Sequence, residues 1–250
     1  MSSCRRVLVI FLSGLLGRAL MKVFSNVPGW EVLGLAHSRV SGTLKKVDLL
    51  NFEETKKIVE EFKPHVLIHF FFERRPDVVS NNPDGAEKLN VGTTEFLANL
   101  VESFNKGLEI FFHSMLYIST DYVFDGTKPP YEPDDPPHPL NKYGESKLAV
   151  FLAVMRCQKS CLILRVPVLY GEVEYLGESA VSVLLTAIQD TKKKTTVDDY
   201  QLRFPTLVDD VANVVLFMAK RKSELETFSG IFHWSNDEQM TKYMMASKFF

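Results

Sequence analysis

The chain of 250 residues is 46% apolar and 24% charged, the composition of a soluble globular protein with room for one large domain or two small ones, which excludes the disordered and collagen-like classes. Its 29 Lys plus Arg stand against 31 Asp plus Glu, a formal charge of −2, so no basic excess exists to condense on phosphate polymers and nucleic acid is not the expected partner. Its three cysteines are too few and odd in number for a disulfide framework, and Cys157 and Cys161 lack the second pair or His cluster that a zinc site needs. The expectation is therefore no metal, reduced thiols and a cytoplasmic location.

Arg5-Arg6 followed by an apolar run over 7–12 has the charge order of a signal peptide, but a buried strand gives the same pattern. The run leads into Gly14-Leu15-Leu16-Gly17 and a segment of helical period, and no Asn-x-Ser/Thr acceptor occurs in the chain, so the strand is the reading taken. No apolar stretch reaches the ~18 residues that span a bilayer, and no membrane association is expected.

Further short apolar runs follow at Trp30–Ala36, near Val47, and over 65–71, 110–119 and 161–168, alternating with amphipathic segments. Strands buried on both faces and crossed over by helices read this way, which predicts an α/β fold: a Rossmann-like, doubly wound parallel sheet. Asn51 with Glu54 three residues on opens a predicted helix over 51–62, which Pro64 closes. Beyond Val168 the alternation weakens, with one helix-like segment over 178–189. The division expected is a nucleotide-binding domain over 1–168, to which parts of 200–235 return, and a smaller substrate-type region over 169–250.

A strand that turns through glycines into a helix aims backbone N–H groups at one point, which suits a pyrophosphate. Here the turn is Phe11-Leu12-Ser13-Gly14-Leu15-Leu16-Gly17, with Phe where the first glycine of a reductase fingerprint belongs. At the end of the second strand stand His37-Ser38-Arg39, a cation and no carboxylate, which favours a 2′-phosphate and hence NADP over NAD. Tyr143 and Lys147 lie four apart, on one face of a helix, where an ammonium lowers the pKa of a phenol for proton transfer. Thr120 and Asp121 close an apolar strand, where side chains line the ligand crevice of a parallel sheet: Thr120 to hold a substrate oxygen, Asp121 to relay a proton or fix a ligand.

Ser119-Thr120-Asp121-Tyr122-Val123-Phe124-Asp125-Gly126, Tyr143-x-x-x-Lys147, Leu164-Arg165-Val166-Pro167-Val168-Leu169-Tyr170-Gly171 and Arg203-Phe204-Pro205-Thr206 resemble the dTDP-4-dehydrorhamnose reductase branch of the extended short-chain reductases. Within it, Glu73-Arg74-Arg75-Pro76-Asp77-Val78-Val79, Gly171-Glu172-Val173-Glu174, Glu178-Ser179-Ala180-Val181 and Phe232-His233-Trp234-Ser235 are similar to the regulatory β-subunit family of methionine adenosyltransferase. The resemblance implies a reductase fold that binds NADP and serves as the non-catalytic partner of the methionine adenosyltransferase catalytic subunit in a hetero-oligomer. The alternative it implies is an active NADPH-dependent reductase of a nucleotide-linked keto sugar, with Thr120, Asp121, Tyr143 and Lys147 in catalysis. By resemblance, NADP contacts fall on Ser13, Gly14, Leu15 and Leu16 at the phosphate turn, and on His37, Ser38 and Arg39 at the adenosine phosphate. Asp48 and Leu49 fall near the adenine, and Phe70, Arg74, Tyr143, Lys147 and Leu169 on the nicotinamide side.

The chain departs from the family at Phe11, at Phe70-Phe71-Phe72, where small residues are expected beneath the cofactor, and in a longer connection over 105–115. It also ends at Phe250, before the family's last substrate-domain elements and docking tail, so a truncated or divergent copy is expected.

Overall fold

The structure is a computed structural model that describes residues 4–10, 14–36, 44–70, 83–105, 114–157, 161–189 and 194–249. Its elements, in chain order, are β1 (Arg5–Ile10), α1 (Leu15–Ser25), β2 (Trp30–Ala36), β3 (Leu44–Lys46), α2 (Phe52–Phe62), β4 (Val66–His69), α3 (Pro83–Glu87), a π-helical turn (Lys88–Gly92) and α4 (Thr93–Asn105). They continue with β5 (Ser114–Thr120), a 3-10 turn (Asp121–Val123), α5 (Lys142–Cys157), β6 (Leu162–Val166), β7 (Leu169–Tyr170) and a second 3-10 turn (Leu176–Glu178). The last elements are α6 (Val183–Gln189), β8 (Thr206–Leu207), α7 (Val208–Glu224), β9 (Gly230–His233) and α8 (Lys242–Ser247).

Seven strands form one sheet in the order β3-β2-β1-β4-β5-β6-β9, and every pairing is parallel. The unbroken apolar runs follow from burial on both faces. Val7 and Val9 of β1, Ile68 of β4, Leu116 and Ile118 of β5 and Leu162 and Leu164 of β6 pack with Leu20 and Phe24 of α1 and Val211 and Val215 of α7. The alternate residues Leu8, Ile10, Leu67, Met115, Tyr117 and Ile163 pack on the other face with Ile58 of α2, Leu97 of α4 and Val150 and Val154 of α5. Strand order reverses between β1 and β4, and a ligand crevice opens at the carboxyl ends of the strands at such a point.

Three predicted elements change. The strand expected over 161–168 ends at Val166, because Pro167 has no N–H to continue the ladder, and Leu169–Tyr170 pairs instead with Thr206–Leu207 in a separate two-stranded sheet. The helix expected over 178–189 starts only at Val183. Ser179 Oγ accepts from the N–H groups of Val181 and Ser182, and Ser182 Oγ donates to Leu176 O, so side chains hold a turn where helix bonds would otherwise begin. The strand expected over 110–119 is described from Ser114 and reaches Thr120. The helix after Asn51 is as expected: Asn51 Oδ1 accepts from Glu54 N at 3.2 Å, and the helix stops at Phe62 with Lys63 in the left-handed region at φ 48°. Residues 11–12, 71 and 106–113 of the expected elements lie outside the described residues.

Candidate functional site

The crevice is built from the ends of β1, β4 and β5 and the starts of α1 and α5. Gly14 is extended, with φ −117° and ψ 178°, and α1 begins after it without a side-chain cap. Its first-turn amides and positive end are therefore left with no competing hydroxyl or carboxylate from the cap position. Leu15 is half-buried, and Leu16 turns into the core. Ser13, Phe11, His37, Ser38, Arg39, Arg74, Phe71 and Phe72 lie outside the described residues. Asp48 is exposed and its carboxylate accepts from Leu50 N at 3.0 Å. Leu49 is buried in the core on the α2 side, which leaves its backbone, and not its side chain, for a ligand. Phe70 and Leu169 are both half-buried and pack against the α1–α7 core, so the Phe70 ring finds apolar company rather than standing free in the crevice.

Thr120 and Asp121 do stand together at the end of β5. Thr120 Oγ1 donates to Asp121 Oδ1 at 3.2 Å and accepts from Tyr122 N at 3.3 Å. Burial pushes the Asp121 carboxyl up to about 6, against the downward pull of the Thr120 hydroxyl and the Arg203 charge. Arg203, from the far side of the molecule in sequence, thus reaches the field of Asp121. In the sequence Arg203 belongs to the Arg203-Phe204-Pro205-Thr206 motif, and nothing in its spacing assigns it to this site.

α5 begins where Asn141 Oδ1 accepts from Gly144 N at 2.8 Å. It brings Tyr143 and Lys147 onto the side facing β5. The Tyr143 ring meets Tyr122 edge-on, with centroids 5.6 Å apart, and is 36% exposed. Lys147 is 4% exposed; its Nζ donates to Ile118 O at 2.9 Å and lies 4.5 Å from the centre of the Tyr117 ring. Burial pulls its ammonium down to about 7.

Beneath this pair lies a polar layer that the sequence reading did not single out. His69 at the end of β4 is fully buried, and its Nε2 is 2.8 Å from Thr94 Oγ1, which itself donates to Asn90 O at 2.6 Å. With its hydrogen spent on Asn90, Thr94 accepts from His69 Nε2–H, which fixes the tautomer. Burial, then the Lys147 charge, hold the imidazole down to about 3 and so neutral. His69 Nδ1, Tyr117 Oη and Ser119 Oγ are buried without a hydrogen-bond partner among the described residues. The alternating side chains of β4 and β5 put all three on the α4–α5 side of the sheet. Arg165, beside Ser119 in the sheet, donates to Pro133 O and His233 Nε2, each at 3.0 Å, and its guanidinium lies over Phe124 and Phe151.

Among the described residues no group of three His, Cys, Asp or Glu is placed to hold a metal ion, and no helix is long and apolar enough to cross a membrane.

A family model described as the RmlD substrate binding domain matches residues 5–250. Methionine adenosyltransferase 2 subunit beta of Xenopus laevis is 46% identical over 242 residues, which cover 97% of this chain and 70% of that protein. The chain belongs to the RmlD substrate-binding family, in its methionine adenosyltransferase 2 subunit beta group. Among solved structures, a dTDP-4-dehydrorhamnose reductase from Clostridium acetobutylicum superposes with a TM-score of 0.77 at 26% identity, covering 98% of this chain and 79% of that one. A dTDP-4-dehydrorhamnose reductase from Bacillus anthracis, in complex with NADP, superposes at 0.79 with 22% identity over 100% of this chain and 81% of that one, a likeness of fold.

Proposed function

We propose that this chain is a non-catalytic regulatory subunit of methionine adenosyltransferase, a reductase-type fold that holds NADP and docks on the catalytic subunit that makes S-adenosylmethionine. The observation that carries this reading is the 46% identity to a methionine adenosyltransferase 2 subunit beta across 97% of the chain. In this reading residues 1–168, with the parts of 200–235 that return to them, hold the nucleotide, and 169–250 form the smaller substrate-type region.

Two features of the described residues support a dinucleotide here, the uncapped start of α1 and the packing of Phe70. The uncapped start of α1 suits a diphosphate received on the amides of Ser13, Gly14, Leu15 and Leu16. His37, Ser38 and Arg39 would take the 2′-phosphate, the backbone at Asp48 and Leu49 the adenine, and Phe70, Arg74, Tyr143, Lys147 and Leu169 the nicotinamide side. Packing of Phe70 against the α1–α7 core supports room for the nucleotide. When bound, NADP supplies hydride chemistry at its nicotinamide ring.

The chain's own residues favour holding over turnover. A phenol acts as an acid or base near neutral pH when a cation beside it stabilises its anion. Lys147 is the cation four residues from Tyr143, and burial lowers its ammonium to about 7, which weakens its hold on a proton. Its Nζ is also engaged by Ile118 O at 2.9 Å, on the strand side. Thr120 likewise spends its hydroxyl on Asp121.

The test is co-sedimentation with the methionine adenosyltransferase catalytic subunit, run beside an NADPH oxidation assay on a dTDP-4-keto sugar. Association without turnover is expected. Turnover that disappears in Tyr143→Phe, with no association, would overturn the reading in favour of a reductase.

A further inference from the structure

Arg18 sits on α1 one turn beyond Gly14, yet its side chain leaves the helix for a segment more than 150 residues away. Nη1 donates to Glu178 Oε1 at 2.6 Å, and Nη2 donates to Glu178 Oε2 at 2.8 Å and to Glu172 O at 3.0 Å. Glu174 Oε2 stands 3.6 Å from Nη1, and the Glu174 N–H donates to Glu178 Oε2 at 2.9 Å. The Glu178 side chain is only 5% exposed, against 32% for Arg18. A two-pronged pairing of this kind fixes direction as well as distance, and a buried carboxylate does not slide away from it cheaply.

The segment that carries Glu178 is itself tied up. Ser182 Oγ donates to Leu176 O, Ser179 Oγ accepts from Ser182 N and Glu174 N donates to Glu178 Oε2, so hydrogen bonds tie residues 174–182 into a knot whose near end, at Glu172 O, is held by Arg18. The chain enters this knot directly over the start of α1: a Cβ on Gly171 would stand 2.5 Å from Val208 Cγ2 and 3.6 Å from Leu15 Cδ1. Next to that contact lies a half-open groove of about 410 Å³, lined by Leu15, Arg18, Glu172 and Val208 among others.

We propose that Arg18 and Glu178 form a positioning pair that links occupancy of the diphosphate turn to the order of residues 172–182. The proposal rests on the NADP reading given above. α1 is a continuous helix of 11 residues, so a diphosphate that draws its first turn toward the crevice moves Arg18 with it. Glu178 and its knot then follow. By linkage the effect is reciprocal: a nucleotide that firms the knot binds less well when the knot is cut loose, by the same factor. The substrate-type region thereby reports the nucleotide state to whatever it faces.

The experiment is amide hydrogen exchange of residues 172–182 in the full chain, with and without NADPH, beside NADPH affinity measured by fluorescence. In the wild type NADPH slows exchange across 172–182. In Arg18→Met the slowing is lost and the NADPH Kd rises about tenfold, within the usual range of such couplings. Arg18→Lys, which keeps the charge but not the fork, falls between the two, a gradation that mere loss of packing does not produce. Glu178→Gln keeps the shape of the carboxylate and serves if Arg18→Met does not fold; it is expected to behave like Arg18→Met. NADPH that binds the wild type without protecting 172–182, or that protects this segment equally in the variants, overturns the pair while leaving the NADP reading intact. Absence of NADPH binding by the wild type overturns both.

Discussion

Gly144→Ala sets two physical effects against each other at the heart of the site. Gly144 lies in α5 between Tyr143 and Lys147 and is not among the glycines of positive φ, so alanine is allowed there by the backbone. Helix propensity alone favours the substitution by about 1 kcal/mol. Packing opposes it. The new Cβ would stand 2.2 Å from Tyr122 O and 2.9 Å from Pro139 Cβ, and the first of these is backbone of the 3-10 turn that follows β5. An ordinary carbon–oxygen contact is about 3.3 Å, so α5 must retreat by about 1 Å. That retreat draws Lys147 Nζ away from Ile118 O, now at 2.9 Å. Overpacking of this kind costs ~1–3 kcal/mol, and a weakened hydrogen bond from a buried cation adds ~1.5 kcal/mol or more. With the propensity gain subtracted, the net loss is about 1.5–3.5 kcal/mol, a fall in Tm of roughly 3–14 °C for a chain of this size. Differential scanning calorimetry of both proteins at pH 7 measures it. An unchanged or raised Tm would mean that α5 does not rest on Tyr122 as described, and the geometry of the Tyr143–Lys147 pair would fall with it.

Other outcomes follow from the buried titratable groups. Because the Lys147 ammonium is lowered on folding from 10.5 to about 7, the unfolded chain holds the proton more tightly, and its contribution to stability rises as pH goes from about 7 to 10.5; denaturation across that window should show the wild type gaining on Lys147→Met. Asp121 has the opposite sign: its carboxyl is raised from 3.8 to about 6, so the wild type should lose stability relative to Asp121→Asn as pH rises from about 4 to 6, read from the difference in urea midpoints. Thr94→Val removes the acceptor of His69 Nε2–H and strands a fully buried imidazole, a loss of ~1–3 kcal/mol in urea unfolding, while Thr94→Ser should cost much less.

The sheet was legible in the sequence because burial on both faces leaves an unbroken apolar signature, and β2 was bounded to the residue at Trp30–Ala36. β9 was not among the strand candidates, since Gly230–His233 is a four-residue edge strand with no fully buried position. The Tyr143–Lys147 spacing announced a shared helix face, but not that Lys147 would be sealed against Ile118 and Tyr117, because burial depends on β5 packing under α5. Likewise Arg18 and Glu178 each read as ordinary charged residues; only the fold brings them within 2.6 Å. His69 and Thr94 carry no local motif, and their pairing depends on the π-helical turn that places Asn90 O beneath Thr94.

If this reductase scaffold serves to grip another protein, the two form a stable complex. Analytical ultracentrifugation of this chain mixed with the methionine adenosyltransferase catalytic subunit, in the presence of NADPH, addresses it directly. A boundary heavier than either component alone is expected; two independent boundaries at concentrations well above those of stable complexes would show that no such grip exists.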